Sequence, residues 1–228
     1  MADLTTLFMS PVLAIKPWGG RRLEGFGKKL PPRVNIGESW EVADLPQAAV
    51  TAVADPRSRV AAGPHAGKTL HQLIEDFGDE LLGSAAPTAE GDFPLLVKLL
   101  DAREHLSIQV HPDESFVAAH PESRLKTESW YVVGAAPGSH LYLGLRPGVT
   151  VDQIASRMGT AGVVGLLQTI PAAVGDFHHL PAGLVHALGA GVTVAEVQTP
   201  SDTTFRLYDW EDRYDRPPRE MHGAAALE

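Results

Sequence analysis

Short runs of apolar and β-branched residues, separated by Gly, Pro and Asp, dominate the hydrophobic pattern of this chain. Runs of this length between turn-forming residues are typical of β-strands. The pattern predicts strands at residues 50–53, 95–100, 105–111, 129–133, 140–145, 191–198 and 203–208. Neither βαβ alternation nor a glycine-rich phosphate loop is visible, so the pattern favours a β-sandwich or small β-barrel over a doubly wound sheet.

Two segments carry the pattern of a helix instead. Thr69 and Gln72 have capping-box spacing ahead of apolar residues three and four positions apart, and Gly83 is placed to end that helix. Thr150 and Gln153 repeat the capping signal. Both helices are expected to pack outside the sheet.

The length of the chain fits one domain. We predict that residues 1–223 form a single domain with helical insertions near 68–83 and 150–168. Residues 224–228, Ala-Ala-Ala-Leu-Glu, resemble a cloning-derived tail and are set apart from the fold.

The charge and composition of the chain limit the binding partners, the location and the metal ligands that we expect for it. The net charge of -9 argues against nucleic acid or an anionic membrane as partner, because both require a basic surface. No apolar run approaches the roughly 20 residues that cross a bilayer, and the N-terminus lacks a secretory pattern, so a cytoplasmic location is expected. The chain has no cysteine, so any metal site must use nitrogen and oxygen ligands.

The segment 106–111 places two such ligands together. Side chains alternate faces along a strand, so Leu106, Ile108 and Val110 are expected on one side and Gln109 and His111 on the other.

Glu128 and His186, arriving from other strands, would complete this donor set. Two imidazoles, one carboxylate and one amide oxygen suit a divalent first-row ion. Zinc, manganese, cobalt and nickel all accept these donors.

The last of these donors lies in a recognisable motif. Gly175 is followed, after five residues, by Pro181-x-Gly183-x-x-His186, which matches the second motif of cupins. The resemblance implies a mainly β fold, a cupin-type (jelly-roll) β-barrel with a few peripheral helices.

The first cupin motif is altered in an informative way. Gln109 stands where the first of two histidines usually lies, and Glu128 follows His111 by 17 residues rather than a few. This arrangement, with the Lys126-x-Glu128 segment and a distant His186, resembles the type I phosphomannose isomerase family. Those zinc-dependent cupins interconvert mannose 6-phosphate and fructose 6-phosphate.

Other segments extend the resemblance over about residues 10–213. They are residues 16–20 (Lys-Pro-Trp-Gly-Gly), 37–41 (Gly-Glu-Ser-Trp-Glu), 93–102, 196–198 and 201–209. Members of the family usually carry a further β domain, so the resemblance implies a short form in which residues 1–223 are a single cupin-like catalytic domain.

The resemblance also implies a mechanism. An aldose–ketose conversion moves a proton between C1 and C2 through an enediol or enediolate, so it needs an electrophile and a base. Arg206 and Lys126 are expected to stabilise charge on the sugar oxygens. The candidate groups for proton transfer are Glu196, Asp202 and Lys126, and the sequence does not rank them.

The phosphate site is less defined in the sequence. Loose candidates are Arg21, Arg22, Lys98, Arg213 and Arg216. No catalytic role is assigned to the histidines outside the ligand set and its neighbouring turn, namely His65, His71, His105, His120, His140 and His222.

Three alternatives remain open. The chain could isomerise another sugar, including an unphosphorylated one, or bind sugar without catalysis, because a fold does not fix a function. A cupin dioxygenase is the third, disfavoured by Gln109 and by the segment around Arg206.

Overall fold

Strands make up most of the regular structure in a computed structural model that describes residues 4, 6–50 and 52–228. The strands are β1 (Met9–Ser10), β2 (Val12–Ala14), β3 (Glu38–Val42), β4 (Arg59–Val60), β5 (Leu96–Asp101), β6 (Ile108–Val110), β7 (Glu128–Ala135), β8 (His140–Leu145), β9 (Leu167–Pro171), β10 (Phe177–Leu180), β11 (His186–Leu188), β12 (Val192–Gln198) and β13 (Phe205–Tyr208). The helices are α1 (Leu70–Phe77), α2 (Asp79–Leu82), α3 (Glu114–Ala119) and α4 (Val151–Ala155), with 3-10 turns at Arg22–Phe26, Gln47–Ala49 and Ala161–Leu166. The prediction of a mainly β chain with few helices is confirmed.

Two antiparallel sheets form the body of the fold. The first has the order β10-β7-β12-β5-β3-β2, and the second has the order β13-β6-β11-β8-β9. Apolar side chains from both sheets meet in one buried group, here called the inner cluster, which includes Leu100, Val132, Leu141, Leu188 and Val194. The sheets therefore pack face to face, with the inner cluster between them.

Helices cover the other face of the second sheet. Ile108 of β6 and Leu207 of β13 point outward into a second buried cluster, which also takes Phe116 of α3 and Ile154 of α4. Gln109, next to Ile108, and Arg206, next to Leu207, consequently face the space between the sheets.

Both predicted capping boxes are present, at Thr69 and at Thr150. The first helix ends earlier than expected, because Gly78 has a φ of 45° and breaks the helical hydrogen-bond ladder. A separate turn, α2, then ends at Gly83. The second helix covers only Val151–Ala155.

The prediction of a strand at 50–53 is wrong. Val50 and Val53 are in no strand, and Thr51 lies outside the described residues. The side-chain amide of Gln47 donates to the carbonyls of Val50 and Val53, so these groups need no neighbouring strand.

The predicted strand at 105–111 is shorter in the structure, where β6 covers Ile108–Val110. Leu106 was expected to share a face with Ile108, but it packs in the inner cluster while Ile108 faces the helices. Its carbonyl accepts a hydrogen bond from the Trp210 indole, at 2.7 Å, which holds this part of the chain out of the strand ladder.

Residues 224–228 contact the rest of the chain. Ala225, Ala226 and Leu227 pack against the cluster beneath α3 and α4, and a carboxylate oxygen of Glu228 lies 2.9 Å from Nε2 of His120. Among the described residues, none of the helices has both the length and the apolar character to cross a membrane.

Candidate metal centre

Three buried side chains with metal-binding atoms converge from the two sheets. Glu128 begins β7 of the first sheet, whereas His186 begins β11 and His111 directly follows β6 in the second. Glu128 oxygens lie 3.3 Å from Nε2 of His111 and 3.1 Å from Nε2 of His186. All three are at most 3% exposed. The predicted ligands therefore meet across the sandwich.

The two histidines present the same ring atom to this point. Nδ1 of His111 lies 3.1 Å from the carbonyl oxygen of Thr203, and Nδ1 of His186 lies 2.8 Å from that of Leu184. A carbonyl only accepts, so each Nδ1 carries the proton and each Nε2 keeps its lone pair. Burial, together with the charge of Lys126, lowers the pKa of His111 to about 3, so its ring stays neutral.

The Glu128 carboxylate is charged and short of partners. Neither oxygen accepts a hydrogen bond from the described residues. Lys126 Nζ lies 3.1 Å from one oxygen, within ion-pair distance but outside hydrogen-bond alignment. Burial raises the pKa of Glu128, but the charge of Lys126 outweighs this and holds it well below its usual value. A buried carboxylate beside two imidazole lone pairs fits a divalent cation.

Gln109 adjoins the cluster with its amide nitrogen. It lies opposite His186 in the register of β6 and β11, and its Nε2 is 3.3 Å from Nε2 of His186. Its Oε1 accepts a 3.1 Å hydrogen bond from the hydroxyl of Ser107. Rotation of the Gln109 amide by 180° about its last side-chain bond exchanges Oε1 and Nε2, so that the oxygen faces the cluster.

A polar cavity of about 240 Å³ opens beside the three ligands. Every candidate catalytic side chain from the sequence lines it: Arg206, Lys126, Glu196 and Asp202. Gln109 lines it too. Residues far apart in the chain are thus brought to one space.

Glu38 was not predicted as a site residue, and Lys98 was predicted only as a loose phosphate candidate, yet both line the cavity. The Lys98 ammonium donates to Gln198 at 2.8 Å and lies 3.4 Å from Glu196 and 3.8 Å from Glu38. Burial opposes its charge, but the two carboxylates raise the pKa of Lys98. A lone lysine inside an apolar strand was the sequence signal for this buried ion network.

Glu38 is held ionised by the same network. Burial alone would raise its pKa, but Lys16, 3.2 Å away, and Lys98 lower it to about 2. The Trp40 indole also donates to it at 2.7 Å.

Glu196 lies between this network and the metal cluster. It accepts a 2.8 Å hydrogen bond from the Trp130 indole. Burial, reinforced by the charge of Glu128, raises the pKa of Glu196. Two buried carboxylates with pKa values shifted in opposite directions are typical of acid–base sites.

Of the five basic residues that were candidates for binding phosphate, Lys98 alone lines the cavity. This lysine is engaged as described above. The other four do not line the cavity. Arg21 binds the Pro31 and Val34 carbonyls, and Arg22 lies by Asp101. Arg213 lies over the Trp210 ring, and Arg216 binds the His105 carbonyl and Asp209. The cavity is lined instead by Lys16 and Arg219, which the sequence did not single out.

A second acidic group lies away from the cavity, formed by Asp44, His71 and Asp92. Arg57 places its guanidinium 3.1 Å from both carboxylates. This arginine already supplies the positive charge that the group needs, so the cluster is best explained as a structural ion network.

Comparisons with known proteins identify relatives of this chain. The sequence profile described as phosphomannose isomerase type I, catalytic domain, matches residues 7–129. A probable mannose-6-phosphate isomerase of Bacillus subtilis, GmuF, is 39% identical over 225 residues, which are 97% of this chain and 67% of that protein. Mannose-6-phosphate isomerase of Streptococcus mutans is 34% identical over 92% of this chain and 62% of its own length. The chain spans about two thirds of the length of these relatives.

Solved structures give the same result. The crystal structure of mannose 6-phosphate isomerase from Bacillus subtilis aligns with a TM-score of 0.83 and 36% identity, over 97% of this chain and 67% of that one. A solved structure from Archaeoglobus fulgidus, 23% identical with a TM-score of 0.71 over 92% of this chain and 67% of that one, shares the fold. The predicted cupin-type fold is confirmed by these likenesses, and the profile match and the relatives together establish that the chain belongs to the type I phosphomannose isomerase family.

Proposed function

We propose that this protein is a metal-dependent aldose–ketose isomerase that interconverts mannose 6-phosphate and fructose 6-phosphate. The observation that carries the proposal is the meeting of His111, Glu128 and His186 beside a cavity lined by Arg206 and Glu196. Membership of the family supports the choice of substrate.

We assign the metal ligands as His111, Glu128 and His186, with Gln109 as the fourth after rotation of its amide. A bound divalent ion supplies an electrophile for the sugar oxygens. With one carboxylate among neutral donors, the centre keeps a net charge of about +1, which favours an anionic enediolate. Zinc is our first choice, and manganese, cobalt and nickel fit the same donors.

Glu196 is our candidate for the group that moves the proton between C1 and C2. It is buried on the cavity wall, and its raised pKa brings it closer to neutral pH, where a base can both accept and return a proton. Asp202 and Lys126 line the same cavity and are the competing assignments.

Arg206 and Lys126 are assigned to charge stabilisation. Lys126 Nζ lies 3.1 Å from Nε2 of His111, next to where the sugar oxygens would meet the metal. Arg206 is directly opposite Gln109 in the register of β13 and β6. Two cations that line the same cavity can stabilise an oxygen that gains negative charge.

An anionic substrate fits the remaining cavity wall. Lys16 and Arg219 line it in addition to Arg206 and Lys126, and they are paired with Glu38 and Asp209 respectively. Guanidinium groups bind phosphate through paired N–H donors.

A cytoplasmic location, and the lack of nucleic acid or membrane partners, remain predictions from the sequence.

The test is a coupled assay of fructose 6-phosphate formed from mannose 6-phosphate. The protein is stripped with a chelator, assayed, resupplied with zinc and assayed again. Activity that disappears and returns with zinc is the expected result. Stoichiometric metal binding without turnover of mannose 6-phosphate would overturn the proposal, and unphosphorylated mannose assayed in parallel tests the need for phosphate.

A further inference from the structure

Arg206 lies on a strand that has a free edge. β13 is the outermost strand of the second sheet, with β6 as its one partner in that sheet among the described residues. The register between the two strands shifts between Arg206 and Tyr208. A register shift on an edge strand weakens the ladder that should fix the direction of a side chain.

His222 occupies this edge at Arg206. The backbone N–H of Arg206 donates to Nδ1 of His222 at 3.2 Å, and the backbone N–H of His222 donates to the carbonyl of Arg206 at 3.1 Å. Both backbone groups of Arg206 are thus satisfied by one residue. The imidazole nitrogen takes the place that a neighbouring strand's carbonyl would have.

The segment that carries His222 is itself anchored to β13. Arg219 and Arg216 both bind the buried carboxylate of Asp209, with Nε of Arg219 at 2.6 Å and Nη2 of Arg216 at 3.1 Å. The carbonyl of Glu220 accepts a 3.3 Å hydrogen bond from the Arg206 guanidinium. Asp209 therefore fixes the segment, and the segment contacts Arg206 at both backbone and side chain.

We propose that His222 is a positioning residue for Arg206, which it holds through Nδ1 and its backbone N–H so that the guanidinium faces the cavity. His222 does not line the cavity, so it acts through Arg206 and not on the sugar. The inference rests on the proposed function, in which Arg206 stabilises charge on the sugar oxygens. An arginine displaced by about 1 Å loses most of such an effect.

The test uses two substitutions of His222. The ring centroids of His222 and Phe205 are 6.0 Å apart. His222→Phe keeps an aromatic ring beside Phe205 but removes Nδ1, the acceptor of the Arg206 N–H. His222→Asn removes the ring but keeps an oxygen at the position of Nδ1. We expect His222→Phe to lower kcat by about 10- to 100-fold with bound metal unchanged, and His222→Asn to recover most of that loss. His179→Phe, on the exposed side of β10, is the control for loss of a histidine.

A double-mutant cycle separates positioning from a general structural role. In an Arg206→Ala background, His222→Phe should lower kcat no further, because the side chain that it positions is gone. A loss of the same size in both backgrounds would overturn the inference, and so would a loss that His222→Asn fails to recover.

Hydrogen exchange gives a readout that does not depend on turnover. The Arg206 amide should exchange faster in His222→Phe than in wild type and slowly in His222→Asn. Unchanged exchange in His222→Phe would overturn the inference even if activity fell. If the wild-type protein converts no mannose 6-phosphate, the proposed function fails, while the exchange experiment still decides whether His222 holds Arg206.

Discussion

A carboxylate oxygen of Glu128 lies 3.1 Å from Nε2 of His186, although the two residues belong to different sheets. The site therefore exists only when the two sheets are packed. Because an unfolded chain cannot present these donors together, metal binding and folding are linked.

Replacement of His111 by Ala should remove metal and activity together. The variant loses one of three converging donors and leaves the Glu128 carboxylate with one fewer neighbour. Metal content by atomic absorption and the coupled assay are measured on the same sample, with His179→Ala as the exposed control. Zinc should raise the Tm of the wild-type protein but not that of His111→Ala. Full metal content in the variant would contradict the ligand assignment.

Arg206→Lys should lower kcat by about 10-fold or more, because lysine keeps the charge but loses the planar pair of N–H donors. Arg206→Ala should lower it by orders of magnitude, with bound metal unchanged in both. The matched control is Arg103→Ala, an exposed arginine paired with Glu104 outside the cavity. Unchanged turnover in Arg206→Ala would remove this residue from the mechanism.

Trp130→Phe should move the acidic limb of the pH profile of kcat/KM to higher pH. The indole N–H donates to Glu196 at 2.8 Å and favours its ionised form, so its loss raises the pKa of a carboxyl that is already raised. A base works only above its pKa, so activity at acidic pH falls first. A limb that stays in place would assign the proton transfer to Asp202 or Lys126 instead.

Glu38→Gln should destabilise the protein at neutral pH and have little effect near pH 2. The folded pKa of Glu38 is about 2, below its usual 4.5, so its ionisation stabilises the folded state above about pH 4.5. This contribution, about 3 kcal/mol at 1.36 kcal/mol per pKa unit, is lost as the pH falls through the folded pKa. Denaturant unfolding across this range checks the slope, and Glu80→Gln, an exposed residue, is the control. Equal destabilisation at all pH values would contradict the assignment.

Gly19→Ala should destabilise the fold by about 2–3 kcal/mol. A Cβ at Gly19 would lie 2.4 Å from the Gly37 nitrogen and 2.6 Å from the Ile36 carbonyl carbon, which are backbone atoms that cannot turn aside. Gly25→Ala is the matched control, because a Cβ there meets no atom within 4 Å. Urea unfolding of the two variants should therefore separate them clearly. Equal stability would show that the segment next to Lys16 relaxes without cost.

Much of the candidate site follows from the alternation of strand side chains. Gln109 and His111 were placed on one face from this alternation, whereas Arg206 was assigned from the resemblance to the family. The capping boxes at Thr69 and Thr150 were equally local and are both present.

What the sequence did not predict depends on distant partners. Lys98 of β5 contacts Glu38 of β3 and both Glu196 and Gln198 of β12. No local pattern in the sequence indicates that these side chains meet. The short strands β10 and β11 were missed because they owe their conformation to pairing with β7 and with β6 and β8. The false strand at 50–53 failed for the opposite reason, since the Gln47 side chain satisfies its carbonyls locally.

The inner cluster sets the separation of the two sheets, and so it sets the distance between Glu128 and the two histidines. A larger or smaller side chain at Leu188 or Val194 would move the ligands relative to one another without touching the metal. We therefore expect the metal preference of the proposed centre to depend on apolar residues in the core as well as on the ligands, because divalent ions differ in preferred bond length and geometry.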